Sequence, residues 1–267
     1  MLVFAAITPH TPLLLEAVGK KERESLRGTQ KAFDTLRVAL ERAAPDTFVI
    51  LSPHRTIVTD AFAFNLSDHY DIDFKEFGDL GTKRRFLPDA AFIDETQRAL
   101  RKKNQPVTLV STKKLDYGVG VPLALLATSK NTYRVVPVTP TAMDFKTHFG
   151  FGEALGDLVQ STHRRIALIA SSNLSHKLSS NSPAGFSPVG AEFDARVEQA
   201  LKSKNNTQLI TLSPELVKSA EPCGFRGILM LAGALAHLPI TPHLLSYENP
   251  FGTGYLTMQF ELETARA

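Results

Sequence analysis

Apolar runs alternate with amphipathic segments along most of the chain. Residues 2–8 and 47–51 are continuous apolar runs, the pattern of strands buried on both faces of a sheet. Between them, residues 20–44 carry apolar side chains at helical spacing and end before Pro45, which predicts a long amphipathic helix. The same patterns predict further strands at residues 107–110, 134–138, 165–171, 243–247 and 255–262, and helices at 88–103, 122–128, 153–160, 191–203, 206–212, 214–219 and 225–237.

This alternation predicts one α/β domain over residues 1–267, with a mostly parallel or mixed central sheet flanked by helices on both faces. Residues 60–85 are irregular and rich in aromatic side chains, which favours an inserted loop or hairpin over a separate domain. The chain shows no internal repeat, low-complexity tract or linker-like change of composition.

Composition narrows the class of protein. Of the 267 residues, 43% are hydrophobic and 21% charged, a balance that excludes disordered and fibrous proteins. The net charge of +3 is too small to indicate nucleic acid or a membrane surface as a partner. The single cysteine excludes an internal disulfide and fits a reducing compartment. Because Pro9 and Pro12 interrupt the apolar start and no signal-peptide features accompany it, we expect a cytoplasmic protein.

Three of the eight histidines follow predicted buried strands: His10, His54 and His176. In open α/β sheets, ligands bind in the crevice outside the carboxyl ends of the strands. We therefore expect these three imidazoles to meet at that edge, although they lie far apart in the sequence. His148 and His163 flank a predicted helix and are expected on its solvent side.

A third metal ligand could come from the segment Ser-Ala-Glu-Pro-Cys-Gly-Phe-Arg, which opens the predicted helix 225–237. Two histidines and a carboxylate form the facial site of non-haem Fe(II) enzymes, and Glu221 would supply that carboxylate. Cys223 would supply a softer sulfur donor. Each also fits an ordinary role, Glu221 as an acid near a helix N-terminus and Cys223 as a small buried residue.

Several sequence blocks, spread over essentially the whole chain, are similar in order and spacing to those of one family. The chain resembles the class III extradiol ring-cleavage dioxygenases (the LigB-like superfamily), and within them the dioxygenase-like domain of AmmeMemoRadiSam system proteins, relatives of the Memo proteins. The blocks are Ile-Thr-Pro-His-Thr-Pro-Leu-Leu, Leu-Ser-Pro-His, Leu-Asp-Tyr-Gly with Val-Pro-Leu, Ile-Ala-Ser-Ser-Asn-Leu-Ser-His, Pro-Ala-Gly-Phe-Ser-Pro-Val-Gly-Ala-Glu-Phe-Asp, Pro-Cys-Gly-Phe-Arg and Ser-Tyr-Glu-Asn-Pro-Phe-Gly-Thr-Gly-Tyr.

The resemblance implies specific roles for these residues. His10 and His54 match the family's two metal-binding histidines, and His176 matches its acid/base histidine. Glu221 is the nearest match to the third ligand of the ring-cleaving enzymes, and we predict that it completes an Fe(II) site. In Memo-like proteins a cysteine stands there instead, and Cys223 matches that version.

Two positions depart from the family's pattern. Relatives usually carry Asp-His-Gly where this chain has Asp116, Tyr117 and Gly118, and Ser-Gly-Asp-Leu-Ser-His where Asn173 replaces the aspartate. Both changes remove titratable groups. Asp116 and Tyr117 remain candidate catalytic residues: Tyr117 could donate a hydrogen bond, and Asp116 could orient a neighbour or cap a turn.

The expected function is Fe(II)-dependent extradiol cleavage of a catechol-type substrate by O2. The alternative is a Memo-like metal-binding protein with a redox or regulatory role and no ring cleavage; a metallohydrolase is less favoured, because no second carboxylate cluster accompanies the histidines. Lys177 and Arg226 could neutralise an acidic substituent of a substrate. The expected partners are a small aromatic substrate and O2, and the chain could form homo-oligomers.

Overall fold

The central sheet contains ten strands. The structure, a computed structural model, describes residues 1–54, 58–128 and 133–263. The strands are β1 (Leu2–Thr8), β2 (Thr47–Leu51), β3 (Phe62–Asn65), β4 (Tyr70–Phe74), β5 (Asp79–Pro88), β6 (Val107–Val110), β7 (Arg134–Thr139), β8 (Ile166–Ser171), β9 (Ile240–Glu248) and β10 (Tyr255–Leu262).

Helices connect most of these strands. Among the described residues they are α1 (Glu16–Gly19), α2 (Arg27–Ala43), α3 (Ala90–Lys102), α4 (Tyr117–Leu126), α5 (Phe145–Ser161), α6 (Gly190–Lys202), α7 (Asn206–Ile210), α8 (Pro214–Ala220) and α9 (Phe225–Leu235). No helix within the described ranges has both the length and the apolar character needed to cross a membrane.

The strand order is β4-β5-β7-β2-β8-β1-β10-β9, with β3 pairing β7 and β6 beside this path. Strands β5, β7, β2, β8 and β1 run parallel, whereas β10 and β9 extend the sheet as antiparallel neighbours. The prediction of one α/β domain with a mixed sheet is thus confirmed. The carboxyl ends of β2, β8 and β1 lie side by side, and this edge positions the candidate site.

Strands β1, β2, β7 and β8 are buried on both faces because helices cover each side. In β2, Val49 and Leu51 belong to one apolar core with α5 and α9, and Phe48 and Ile50 belong to a second core with α2 and α4. Alternate side chains point to opposite faces of a strand, so a continuous apolar run supplies both cores.

Two expectations need correction. Residues 60–85 do form the β4–β5 hairpin, but they also supply β3, which joins the main sheet. The helix predicted at 153–160 begins at Phe145, because Asp144 accepts a hydrogen bond from the Thr147 amide and caps it. His148 consequently lies inside the first turns and is buried rather than on the solvent side, with Nδ1 2.7 Å from the Asp144 carbonyl.

Candidate metal centre

Three donor side chains converge at the carboxyl edge of the sheet. His10 follows β1, His54 follows β2, and Cys223 lies in the turn between α8 and α9. His10 Nε2 is 2.7 Å from His54 Nε2 and 3.3 Å from Cys223 Sγ. One donor atom from each residue lies within 4.8 Å of the other two, a spacing suited to a single metal ion.

Hydrogen bonds orient His10. Ser171, at the end of β8, donates its hydroxyl hydrogen to the Gly118 carbonyl, so its oxygen accepts from His10 Nδ1 at 3.0 Å. The backbone amide of His10 donates to Asn173 Oδ1 at 3.2 Å. With the proton on Nδ1, the lone pair of Nε2 faces Cys223 and His54, which is the arrangement of a metal-ligating histidine.

Tyr117 packs on His54. The two rings stack with centroids 4.3 Å apart, and the Tyr117 hydroxyl lies 3.3 Å from His54 Nδ1. When His54 Nε2 binds a metal, Nδ1 carries the ring proton and the phenol oxygen can accept it. Burial raises the pKa of Tyr117 to about 12, so the phenol stays protonated and is unsuited to shuttling protons at neutral pH.

Asp116 begins helix α4. Its Oδ1 accepts from Ser52 Oγ at 2.8 Å and from the Val119 amide at 3.2 Å, which makes it an N-cap. Gly118, two positions after Asp116, has no room for a side chain. A Cβ there would lie 2.4 Å from Ser52 Oγ and 3.0 Å from His54 Cδ2. Asp116 therefore sets where Tyr117 meets His54; a catalytic role for either residue stays a prediction.

Burial keeps the imidazoles neutral. It lowers the pKa of His10 well below its ordinary value, and the neighbouring rings of His54 and His176 lower it further. Burial also lowers the pKa of His54, against an opposing effect of the Asp116 carboxylate. Neutral imidazole is the form that binds a metal, so both rings are in the ligating form at neutral pH.

His176 lies beside this group, in the segment that follows β8. It is close enough to His10 and His54 to lower the pKa of both, yet it is not part of the 4.8 Å donor group. Its own pKa is lowered by burial, with a partly compensating effect of Glu221. Its backbone amide donates to the Ala220 carbonyl at 3.2 Å, which ties the histidine to the turn that carries Cys223.

Glu221 does not face the imidazoles, contrary to our expectation. It caps the end of α8 in the left-handed backbone region, at φ 53°, and its carboxylate pairs with Lys177 Nζ at 2.9 Å. The side chain is 57% exposed. The donor atom that lies beside His10 and His54 is the sulfur of Cys223, so the expectation that the Glu221 carboxylate faces these imidazoles is wrong. Which of the two residues ligates a metal stays a prediction.

The position of Cys223 is fixed by its neighbour. The Gly224 amide donates to the Asn173 carbonyl, and its own carbonyl accepts from Ser172 Oγ at 3.0 Å. A Cβ on Gly224 would lie 2.3 Å from Ser172 Cα, so only glycine allows the turn to approach β8 this closely. The sequence analysis assigned no role to Ser171 or Ser172. Their position as polar residues at the end of an apolar strand could have marked them as part of the site.

The donor set fits a divalent first-row metal. Two imidazoles and one thiolate suit zinc, copper and iron, and the sulfur shifts the preference toward the softer ions. Burial raises the pKa of the Cys223 thiol to about 12, so the ionised form needs a cation beside it. The fold and these donors define an α/β protein with a mononuclear His-His-Cys candidate metal centre.

Comparison with known families agrees with this class. The family described as the catalytic LigB subunit of aromatic ring-opening dioxygenase matches residues 4–258. The chain belongs to this family, and the resemblance inferred from its sequence blocks is confirmed at that level.

One curated relative and one solved structure show how far the similarity extends. Protein CA_C1420 of Clostridium acetobutylicum is 29% identical over 270 residues, which cover 96% of this chain and 56% of the relative. The chain thus spans about half the length of that curated relative. The crystal structure of the uncharacterized protein JW3007 from Escherichia coli K12 superposes with a TM-score of 0.67 at 20% identity, covering 96% of this chain and 98% of that one. This likeness establishes the shared fold.

Proposed function

We propose that this protein is a metal-dependent dioxygenase that opens the ring of a catechol-type aromatic substrate with O2. The observation that carries the proposal is the arrangement of three histidines. His10 and His54 turn Nε2 toward a common point, and His176 lies beside them outside the donor group. Membership of the ring-opening dioxygenase family supports the same chemistry.

His10, His54 and Cys223 would hold the metal, and Fe(II) is the ion that the proposed O2 chemistry would use. When bound, the ion would supply open coordination positions for the two substrate oxygens and for O2. His176 would take a proton from a catechol hydroxyl through its neutral imidazole and return it to an oxygen of the opened product. Tyr117 would keep His54 oriented through stacking and the Nδ1 contact.

A second candidate function is a Memo-like metal-binding protein with a redox or regulatory role and no ring cleavage. The specific observation in its favour is the sulfur of Cys223 in the place expected for a carboxylate. A thiolate ligand lowers the preference for Fe(II) relative to softer metals such as copper.

The test is reconstitution with a defined metal. Chelator-treated protein is loaded anaerobically with Fe(II), Zn(II) or Cu(II), and a panel of catechols is followed by O2 uptake and by the absorbance of yellow ring-opened products. We expect O2 uptake and product in equal amounts with Fe(II) only. The His176→Ala variant serves as the inactive partner, and His243→Ala, at a half-exposed histidine paired with Glu261, serves as the matched control.

Failure has a distinct signature. Stoichiometric binding of a metal with no O2 uptake on any catechol would reject ring cleavage and favour the second function. Loss of turnover in His243→Ala as severe as in His176→Ala would show that the assay responds to something other than the proposed acid/base group.

A further inference from the structure

His176 is held in place through its backbone. Its amide donates to the Ala220 carbonyl at 3.2 Å, and no described residue forms a hydrogen bond with its imidazole. The ring is therefore oriented by the chain on either side of it, with Ser175 before it and Lys177 after it. The contacts of these two neighbours decide how the imidazole meets the candidate metal centre.

Every polar group of Ser175 is hydrogen-bonded. Its amide donates to Asp194 Oδ1 at 2.8 Å, and its carbonyl accepts from the Gly254 amide at 2.8 Å. Its hydroxyl donates to the Ala220 carbonyl at 2.8 Å and accepts from the Lys177 amide at 3.1 Å. Ser175 is thus tied to α6, to the end of α8 and to the segment that joins β9 to β10.

The bond to α6 differs from the others because its acceptor is a carboxylate. Asp194 is only 2% exposed, and its second oxygen accepts from Tyr247 Oη, on β9, at 2.7 Å. Each carboxylate oxygen therefore has one close donor, and the two donors come from different parts of the fold. Burial raises the pKa of Asp194 to about 6, as expected for a carboxylate that loses its hydration on folding.

Stability alone does not account for a carboxylate at this position. The buried face of α6 around it is otherwise apolar, with Phe193, Val197 and Leu201 in the core. Removing a carboxylate from water is unfavourable, and an apolar side chain of similar volume is often neutral or stabilising in such surroundings. The carboxylate is better explained by the group that it holds, the Ser175 amide, which lies directly before His176.

We propose that Asp194 is a positioning residue for His176, and that Asp194 together with Tyr247 sets the distance between this imidazole and the candidate metal centre. The inference rests on the proposed ring-cleavage function for the reaction that His176 serves. A proton-transfer group works within about 3 Å of the proton that it moves, and a displacement of ~1 Å can lower the rate roughly 100-fold. Asp194 acts through the backbone of Ser175, without contact with substrate or metal.

Paramagnetic NMR measures the placement of His176 without any turnover. The protein carries isotope-labelled histidine Cε1 and is loaded with Co(II), and the Zn(II)-loaded protein is the diamagnetic reference. The difference between the two spectra is the pseudocontact shift of the ring, which depends on its distance and direction from the ion. The His176→Ala variant identifies the resonance.

Two substitutions of Asp194 separate its hydrogen bonds from its bulk. Asp194→Ala leaves the Ser175 amide and the Tyr247 hydroxyl unpaired, so we expect the pseudocontact shift of the imidazole to change. Asp194→Asn should keep the shift of His176, because its amide can accept from Ser175 and donate to Tyr247. Glu192→Ala, at an exposed glutamate of the same helix, is the matched control and should keep it as well.

Turnover of the Fe(II)-loaded protein supplies the second readout. Asp194→Ala should keep its metal and its KM and lose kcat roughly 10-fold to 100-fold, because the acid/base group is displaced while substrate binding is not. Asp194→Asn should restore kcat to nearly the value of the unmodified protein. If Asp194→Ala does not fold, Tyr247→Phe takes its place, and its shift and kcat should change in the same direction by a smaller amount.

Each outcome decides the proposal. It would be overturned if His176 showed no pseudocontact shift in the unmodified protein, if the shift were unchanged in both Asp194→Ala and Tyr247→Phe, or if it moved as far in Asp194→Asn or Glu192→Ala. A higher KM with an unchanged kcat would also overturn it.

The proposed function fails separately. If the unmodified protein opens no catechol, but the His176 shift moves in Asp194→Ala and returns in Asp194→Asn, the positioning role stands and ring cleavage falls. If catechols are opened and the shift does not move, ring cleavage stands and the positioning role falls.

Discussion

His10 Nε2 lies 2.7 Å from His54 Nε2, although the two histidines are 44 positions apart in the chain. The Nδ1 atoms point away from each other, one toward Ser171 and the other toward Tyr117. Two neutral imidazoles that turn their lone pairs toward one point need a cation or a proton there. The hydrogen bonds behind them hold that arrangement before any ligand arrives, which is the preorganisation that a metal site requires.

Removing either imidazole should weaken metal binding. His10→Ala and His54→Ala are each expected to weaken binding of a divalent metal at least roughly 10-fold, about 1.4 kcal/mol, since each removes one of three donors. Metal content after dialysis measures this, with circular dichroism to verify the fold. His237→Ala, at an exposed histidine beside Glu153, is the control, and undiminished metal in both site variants would contradict the assignment.

Cys223 and Glu221 should respond in opposite ways. With Co(II) as a spectroscopic probe, the unmodified protein should show a near-ultraviolet thiolate-to-cobalt charge-transfer band. Cys223→Ser should lose this band and bind the ion more weakly, because a neutral hydroxyl is a poor donor. Glu221→Gln should keep both, because its carboxylate faces Lys177. A band that survives Cys223→Ser and disappears in Glu221→Gln would restore the carboxylate as the ligand.

His176 should separate turnover from metal binding. His176→Ala is expected to keep its metal and to lose turnover by roughly 10²–10⁴-fold, the usual contribution of a positioned proton-transfer group. Burial lowers the pKa of His176 from its ordinary value of 6.5, so the imidazole stays a neutral base somewhat below that pH. The decline of kcat/KM on the acid side of the pH profile of the unmodified enzyme should therefore lie below pH 6.5. A variant as poor in metal as His10→Ala would identify His176 as a ligand.

The Tyr117 hydroxyl should matter for metal affinity rather than for the fold. Tyr117→Phe keeps the ring that stacks on His54 and removes only the oxygen 3.3 Å from Nδ1. Loss of such an orienting partner typically weakens metal binding by roughly 10–100-fold. Competition with a chromogenic chelator measures the affinity, and thermal unfolding of the chelator-treated variant supplies the control. An affinity equal to that of the unmodified protein would assign Tyr117 to packing alone.

Asp194 should make stability depend on pH. Its carboxylate lies buried on α6, accepts from the Ser175 amide at 2.8 Å and from Tyr247 Oη at 2.7 Å, and has its pKa raised by burial to about 6. Between pH 3.8, the ordinary value, and about 6, the folded protein binds a proton that the unfolded chain has released. Protonation of Asp194 therefore stabilises the fold below this window, and that stabilisation is lost as the pH rises through it. The loss in the free energy of unfolding is about 3 kcal/mol in all.

Asp194→Asn tests this linkage, because an amide can accept from the Ser175 amide and donate to Tyr247 without ionising. Urea unfolding at each pH gives the free energy of unfolding of both proteins. The difference, variant minus unmodified protein, should rise between pH 5 and pH 7.5 by about half of those ~3 kcal/mol. Asp34→Asn, at an exposed aspartate beside Arg37, should show no such trend. Parallel curves for the Asp194→Asn and unmodified proteins would refute the linkage.

Much of this architecture follows from local patterns. Buried parallel strands read as continuous apolar runs, so β1 and β2 begin and end where predicted, as does the antiparallel β10. Because parallel strands share one carboxyl edge, the histidines that follow β1, β2 and β8 could be expected to meet. That expectation holds for His10 and His54, which are in contact. His176 lies beside them.

Which of the two side chains, Cys223 or Glu221, lies beside the imidazoles depends on tertiary structure alone. They are two positions apart, and both lie in a turn whose direction no periodicity encodes. The left-handed backbone at Glu221 and the close approach of Gly224 to Ser172 turn the carboxylate toward Lys177 and the sulfur toward His10. Apolar periodicity records which face of an element is buried, whereas contacts between the ends of elements arise only when the whole chain packs.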